Sequence, residues 1–581
     1  MSRLVVLSNR VKLPDSGPMA GGLAVALEDV LMGSSVIWMG WNGNVIDDDC
    51  RTCAANTFDS SEQLPLAGAG KHGASTTITY ITTALTAKQY QHFYCGFANN
   101  VLWPLLHEQP DLMSQAPEDY TGYQEVNRLF ARQLEKVLQP DDVIWVHDYH
   151  FLSVAYHCRQ LGIKNRIGFF LHIPFASLPY WQSLDKAAIL IEHFAHYDVI
   201  GTQTQRGKTH CLAVVQHYLQ DRLLDTYARA SQIQASRTER GFFHTSKSVR
   251  TKLMLNLDLC TEHQLTINAY PIGVNVARIQ DQVIGLSPKS IENRQKKDVI
   301  KPATQQIIAV DRIDYSKGLL ERFSAYRSFL QQYPIYQNQL QLLQIACPSR
   351  LDLPIYQRLY NNVTQAVNGF NQQFSTHKFE TAEVGGRIIK GKDIQGNNIK
   401  GKGIQGNNIK GKDIQGNNIK GKDIQDNSSN VNLSINHWDA ITYSEEVLNH
   451  QALMTAFWQS DIGWVNSLKD GMNLVAKEYI AAQNPDDPGV LVLSCYAGAA
   501  EQMQAAVIID PLQPDSVIQG LKMALEMPLS ERKRRYQTLL HGLQQDNLHV
   551  WQQDFLDDLY DSKRHYIHNH SSTTVSLSDS P

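Results

Sequence analysis

The sequence predicts an α/β protein made of two doubly wound, Rossmann-like units, and three features predict it. Short β-branched runs alternate with longer amphipathic stretches, the pattern of a parallel sheet with helical crossovers. The alternation recurs in both halves of a 581-residue chain, which is more than one hydrophobic core holds. The two series meet near Tyr270–Val276.

In chain order, the first half offers strands at Leu4–Leu7, Ser35–Met39, Val143–Val146, Arg166–Leu171 and Val199–Thr202, with helical stretches such as Tyr123–Leu138 and Leu184–His196 between them. The second half repeats the theme at Gln305–Val310, Gln341–Ile345, Asp461–Val465 and Val490–Ser494. The expected domains are 1–273 and 274–540, followed by a helix over 541–567 that returns to the first domain and a disordered tail over 571–581. An insertion over 377–432 stands apart. Within it, from Lys390 to Ser429, a ten-residue unit built on KGKDIQGNNI runs four times, with Ile at every fifth position. A pentapeptide β-helix needs a small inward residue two before each Ile, where this chain has Lys or Asn. Ile alone buries too little surface to offset chain entropy, so the repeat reads as a flexible surface insertion.

Composition narrows the function classes. A formal charge of -4 and a pI near 6.6 give no global drive toward nucleic acid or an anionic membrane. Any anionic ligand must be held by a few placed cations. The longest nearly apolar run, Ile167–Phe175, is broken by His172 and is too short to span a bilayer. The N-terminus turns polar by Ser8 and reads as a first strand rather than a signal peptide. Cys50 and Cys53 form a lone C-x-x-C without a second pair, a weak metal or redox signal. The expectation is a cytoplasmic enzyme in a reducing compartment.

Ligands in doubly wound sheets bind beyond the carboxyl ends of the strands, so the residues after each strand come next. Arg10 follows the first strand, and Gly21-Gly22-Leu23 opens a helix at Ala24–Leu31. Such a helix start presents N–H groups and a favourable dipole to phosphate; the same Gly-Gly also serves as a tight turn. Trp145–His150 crowds polar groups at a strand end, where Asp148 can accept sugar hydroxyls or cap a helix. His172 ends an apolar strand just before Pro174 and reads as a site histidine or a satisfied core one. Arg312 and Lys317 lie five residues apart after a buried strand. A planar fork and a point charge suit a diphosphate; the competing reading is ion pairing with Asp311 or Asp314. Asp470 and Glu478 flank a glycine-led turn into a helix, fit for sugar hydroxyls and a ribose diol respectively, or for a capped helix with a solvent-facing Glu.

With SNR, AGGLAVAL, WMGWNG, FANNVLWP, WVHDYH, RIGFFLHIPF, RIDYSKGLLERF, SLKDGMNLVAKEY and PGVLVLSCYAGAA in this order, the chain resembles the trehalose-6-phosphate synthases, glycosyltransferase family 20, of the two-domain GT-B type. The resemblance spans almost the whole chain except the repeat, parts of 50–77 and 219–265, and the tail. It departs at Ala176-Ser177-Leu178-Pro179 and at Gly201–Thr204, which lacks the usual aromatic. It implies that Gly22, Arg312 and Lys317 hold the donor diphosphate, and that His172 and Asp470 contact the transferred glucose beside N–H groups near Asn473 and Leu474. Glu478 would bind the ribose. The acceptor, glucose 6-phosphate, would lie against Arg10, Trp41, Tyr94, Trp103, Asp148 and Arg350.

On that resemblance the expected reaction moves glucose from UDP-glucose to glucose 6-phosphate, giving α,α-trehalose 6-phosphate with retention and without metal or other cofactor. Asp148, His172, Arg312, Lys317 and Asp470 would carry the catalysis. Asp47–Asp49 is an Asp-x-Asp in a loop-like stretch and not a metal clamp. The nucleotide base and the oligomeric state, homo-oligomer included, stay open. A synthase acting on glycerol 3-phosphate and an inactive regulatory member are the rivals. Removal of the 6-phosphate is expected to need a separate trehalose-phosphate phosphatase.

Overall fold

The computed structural model describes residues 3–11, 36–48, 56–60, 78–229, 249–284, 305–374, 376–379, 382–384, 387–389 and 435–569. Gly22 and its helix, Cys50 and Cys53, the repeat over 390–429 and the tail over 571–581 lie outside the described residues.

Two sheets carry the chain. The first holds ten strands: β1 (Leu4–Arg10), β2 (Val36–Ile46), β3 (Asn56–Ser60), β4 (Ile78–Thr86), β5 (Val143–His147), β6 (Arg166–Phe170), β7 (Val199–Thr202), β8 (Leu223–Arg229), β9 (Arg250–Leu257) and β10 (Cys260–Ala269). Their order is β3-β4-β2-β1-β5-β6-β7-β10-β9-β8. Pairing is parallel from β4 to β10 and antiparallel at both edges. The parallel strands are apolar runs such as VIWVH and RIGFF, buried on both faces, as strands sandwiched between helical layers must be.

The second sheet is parallel throughout, with β11 (Gln305–Arg312), β12 (Leu340–Cys347), β17 (Ile441–Ser444), β18 (Ile462–Val465), β19 (Val490–Ser494) and β20 (Val507–Ile509) in the order β17-β12-β11-β18-β19-β20. Between its second and third strands in the chain, β13 (Thr376–Phe379) pairs with β16 (Ile435–Trp438), and β14 (Ala382–Val384) with β15 (Arg387–Ile389). Part of the expected insertion, Lys378 included, is therefore ordered as short antiparallel pairs. β13 and β16 join the two ends of that insertion, with Lys378 opposite Asn436 and Phe379 opposite Ile435.

The two sheets pack into one body through the linker and the C-terminus. Helix Leu548–Asn569 crosses back to the first sheet, where Phe555 stacks on Trp145 at 4.9 Å and meets Tyr270 at 5.1 Å. A methyl on Gly168 would come within 2.8 Å of that ring, so the strand must carry glycine there. No helix among the described residues is long and apolar enough to cross a membrane.

Candidate active site

Each parallel sheet starts its chain in the middle and departs in both directions, so each has a switch point where neighbouring strands lead their connections apart. In the first sheet it falls between β1 and β5, and in the second between β11 and β18. A crevice at the carboxyl ends of those strands is the ligand site this topology makes. Arg10 ends β1 and Asp148 follows β5; Arg312 ends β11 and Asp470 follows β18. The four candidates occupy the four positions that geometry favours.

On the first-sheet side, aromatic rings and guanidinium groups form a continuous chain. The Arg10 guanidinium lies 4.8 Å from the Trp41 ring. Trp41 packs on Tyr94 at 5.3 Å, Tyr94 stacks on His150 at 5.9 Å, and His150 packs on Tyr149 at 4.0 Å. Tyr149 meets Trp103 at 5.5 Å, and Arg350 lies over Trp103 at 3.8 Å. Arg350 belongs to the second half of the chain and donates to Asp314 at 2.7 Å, to Tyr356 Oη at 2.8 Å and to Tyr149 Oη at 3.4 Å. The segment bearing Tyr94, Tyr90–Leu102, is wound as a π-helix, closed by the Trp103 N–H donating to Ala98 O. Such windings are uncommon and cluster at functional sites.

Asp148 lies within the electrostatic reach of Arg312 and Arg350. Burial pushes its carboxyl up to about 6, against the N–H groups of Tyr149 and His172 and the charges of Arg312 and Arg350, which favour the carboxylate. His172 Nε2 is 3.0 Å from His147 Nδ1, and burial drives His172 down to about 3. His172 is thus neutral at physiological pH and hydrogen-bonds as imidazole rather than imidazolium.

On the second-sheet side, the ion pairs with Asp311 or Asp314 that the sequence allowed for Arg312 and Lys317 do not form. Asp311 is taken by the fully buried Arg322 at 2.5 Å, and Asp314 by Arg350. Arg312 forms no ion pair among the described residues and lies 5.6 Å from the Trp103 ring. Lys317 pairs instead with Asp470. Asp470 Oδ2 also accepts from Ser467 Oγ at 3.1 Å and Asn473 Nδ2 at 3.0 Å. Burial works against its charge, yet Lys317 and Asn473 hold its carboxyl below the ordinary range. Asn473, at φ 74, caps helix Leu474–Ala481 through its side chain and Ala476 N, so Leu474 begins the helix with its N–H at the crevice. Glu478 lies on that helix and is 9% exposed, so it is not a solvent-facing residue; burial raises its carboxyl to about 7.

The structure thus brings Arg10, Trp41, Tyr94, Trp103, Asp148, Arg350, His172, Arg312, Lys317, Asp470, Asn473 and Leu474 to the mouth of one cleft, with Glu478 along the helix that leaves it. The sequence reading missed His147, Tyr149, His150, Ser467 and Tyr356. The first three sit inside the WVHDYH motif that flagged Asp148, and Ser467 opens the SLKDGMNLVAKEY motif that flagged Asp470; Tyr356 has no local signal. His107 was also missed. It is 3% exposed, packs on Trp103 at 4.2 Å, and bonds Trp103 O through Nδ1 at 2.8 Å. Burial lowers it to about 4, although Asp314 and Asp470 pull the other way. Strain follows the same map: of the non-glycine residues at positive φ, Glu108, Asp148, Arg350 and Asn473 all border the cleft, where such cost is retained for function.

Comparison with known proteins agrees with the geometry. The family model of glycosyltransferase family 20 matches residues 10–384 and 414–561. The trehalose-6-phosphate synthase of Sodalis glossinidius is 34% identical over 563 residues, covering 96% of both chains. That of Klebsiella pneumoniae is 33% identical over 560 residues, covering 96% of this chain and 95% of its own. Among solved structures, an α,α-trehalose-phosphate synthase (UDP-forming) from Burkholderia xenovorans in complex with glucose-6-phosphate aligns with a TM-score of 0.72 at 29% identity, covering 96% of this chain and all of the other. One described as trehalose-6-phosphate from E. coli bound with UDP-2-fluoro glucose aligns at 0.71 and 30%, covering 96% and 99%. Two doubly wound domains facing across a cleft are the GT-B arrangement of these enzymes, and the chain belongs to glycosyltransferase family 20, with the trehalose-6-phosphate synthases.

Proposed function

We propose that the chain transfers glucose from UDP-glucose to glucose 6-phosphate, with retention, to give α,α-trehalose 6-phosphate and UDP. The observation that carries this is the convergence on Trp103: Arg350 at 3.8 Å and Arg312 at 5.6 Å share one ring. A phosphorylated acceptor held by the first and a donor diphosphate held by the second would meet there. The aromatic wall of Trp41, Tyr94 and Trp103 fits the faces of a hexose, and Arg10 and Arg350 can each fork a phosphate.

In this reading Lys317 and Asp470 hold one another until a diphosphate offers Lys317 a second anionic partner. Asp470 then accepts hydroxyls of the transferred glucose. Each charge-assisted contact contributes about 1.5–3 kcal/mol, and those at the leaving diphosphate gain weight as its charge develops. No further carboxylate is assigned beneath the anomeric carbon, so we favour front-face attack within an ion pair. The C1–oxygen bond to the diphosphate breaks, the acceptor hydroxyl forms the new bond to C1, and its proton passes to the departing phosphate oxygen. Asp148 orients acceptor hydroxyls. The two cations supply the charge that a metal would otherwise supply.

The test is UDP release from UDP-glucose with glucose 6-phosphate or glycerol 3-phosphate as acceptor. Release that depends on glucose 6-phosphate supports the reading. Equal release with glycerol 3-phosphate transfers it to the smaller acceptor, and release independent of either reduces the activity to hydrolysis.

A further inference from the structure

Glu108 occupies a position that chain geometry reserves for a different residue. Helix Trp103–Leu106 ends with His107 as its cap, and the next residue, Glu108, turns the chain at φ 59 before Pro110. This is the left-handed position after a helix, where glycine is the ordinary occupant because a Cβ is strained there. A glutamate in that place needs a use for its side chain, and the structure shows one at each oxygen. Oε1 accepts from Ser177 N at 3.2 Å, and Oε2 pairs with Lys469 Nζ at 2.5 Å. Both charged side chains are only 18% exposed.

The partners are what matter. Ser177 ends the His172–Ser177 loop of the first half, and Lys469 immediately precedes Asp470 in the second. Glu108 itself follows the segment that bears Trp103 and His107. One carboxylate thus ties the acceptor wall, the loop behind His172 and the Asp470 loop together. We propose that Glu108 is a positioning residue for glycosyl transfer, which through Lys469 and Ser177 fixes the separation of Asp470 from the His172 loop across the cleft. It touches neither the reacting atoms nor the diphosphate cations, so it acts on the rate through geometry and leaves ligand contacts intact. A misplacement of up to about 1 Å costs a rate factor of about 10 to 100.

This rests on the transfer reaction proposed above, and Glu108→Gly together with a Glu108→Gln/Lys469→Met cycle, read by kinetics and by hydrogen exchange, separates the failures. In Glu108→Gly the relief of backbone strain offsets the loss of the Lys469 pair and the Ser177 hydrogen bond, so the melting temperature is expected to stay within a few degrees of wild type. At the same time kcat is expected to fall about tenfold or more, with KM for both substrates within about threefold. In a cycle with Lys469→Met, the double variant Glu108→Gln/Lys469→Met should be no slower than the slower single variant, because the two act as one unit. Hydrogen exchange on the full chain supplies the second readout: in Glu108→Gly, peptides covering 172–178 and 467–473 should exchange faster. Retention of kcat within twofold in Glu108→Gly, additive losses in the cycle, or unchanged exchange in those peptides would each overturn the inference. Should the wild type form no disaccharide phosphate, the substrate reading fails, and the exchange result alone decides the role of Glu108.

Discussion

Gly471→Ala tests the packing of the two halves at the point where the chemistry is placed. Gly471 follows Asp470, and a methyl built there would lie 2.8 Å from Ile173 Cα and 2.9 Å from the His172 carbonyl carbon, nearer still to its oxygen. The Asp470 loop is held to the 496–499 segment, where Asp470 N donates to Tyr496 O at 3.1 Å and Ala499 N to Met472 O at 2.7 Å. A methyl on Gly498 would come 2.7 Å from the Gly471 carbonyl carbon. Every obstructing atom near Gly471 is backbone, so no side chain can swing aside. Ordinary contact begins at 3.4 Å, so the loop and the His172 segment must part by about 1 Å, at an overpacking cost of about 1–3 kcal/mol. A shift of about 1 Å between catalytic groups lowers kcat by roughly 100-fold. Nucleotide affinity is expected to hold within about threefold, since Arg312, Lys317 and Glu478 all belong to the second half. The assay pairs steady-state kinetics with calorimetric titration of UDP. A kcat within threefold of wild type would refute the close apposition of Asp470 and His172 on which the site rests.

Further outcomes follow from individual groups. Arg350→Ala should raise KM for glucose 6-phosphate by about 10-fold or more, from loss of a charge-assisted contact, while UDP affinity in calorimetry stays near wild type. Glu478, held near 7 by burial, must ionise to accept two ribose hydroxyls. UDP binding should therefore tighten from pH 6 to 8 with proton release, and Glu478→Gln should weaken binding and flatten that dependence, as isothermal titration would show. The same group sets a stability trend. Its folded value lies above its ordinary 4.5, so the folded state binds the extra proton and stability falls as pH rises from about 4.5 to 7. Thermal melting of wild type against Glu478→Gln reads that contribution. Excess EDTA should leave kcat unchanged if Arg312 and Lys317 alone offset the leaving charge.

Most of the parallel strands were legible because burial on both faces writes a continuous apolar run, whereas the Thr-rich β4 and the short β17 and β20 were not read. Val199–Thr202 and Val490–Ser494 coincide with β7 and β19, and Gln305–Val310 falls two residues short of β11 only because Asp311 and Arg312 are polar. The elements without that signature were not read. The π-helix Tyr90–Leu102 lacks a 3.6-residue apolar stripe, and the antiparallel β8–β10 edge alternates around exposed residues such as Leu224 and Tyr227. Leu184–His196 was read too long, since the helix spans Ala187–Phe194. Among site residues, strand-end position and residue type singled out Arg10, Asp148, His172, Arg312, Lys317 and Asp470. Local sequence left Arg312 and Lys317 undecided between a ligand and a salt bridge. Their assignment depends on which carboxylates Arg322 and Arg350 occupy, and those partners come from 11 and 36 residues away. The Glu108–Lys469 pair spans 361 residues, and a glutamate at a helix end gives no hint of it.

The most direct test of the central claim is NMR of the product formed from UDP-glucose labelled with carbon-13 at the glucose anomeric carbon and unlabelled glucose 6-phosphate. The account predicts one disaccharide phosphate in which the labelled carbon is α and bonded through oxygen to the anomeric carbon of the acceptor. A β configuration at that carbon, linkage to any other acceptor position, or labelled free glucose as the sole product would contradict it.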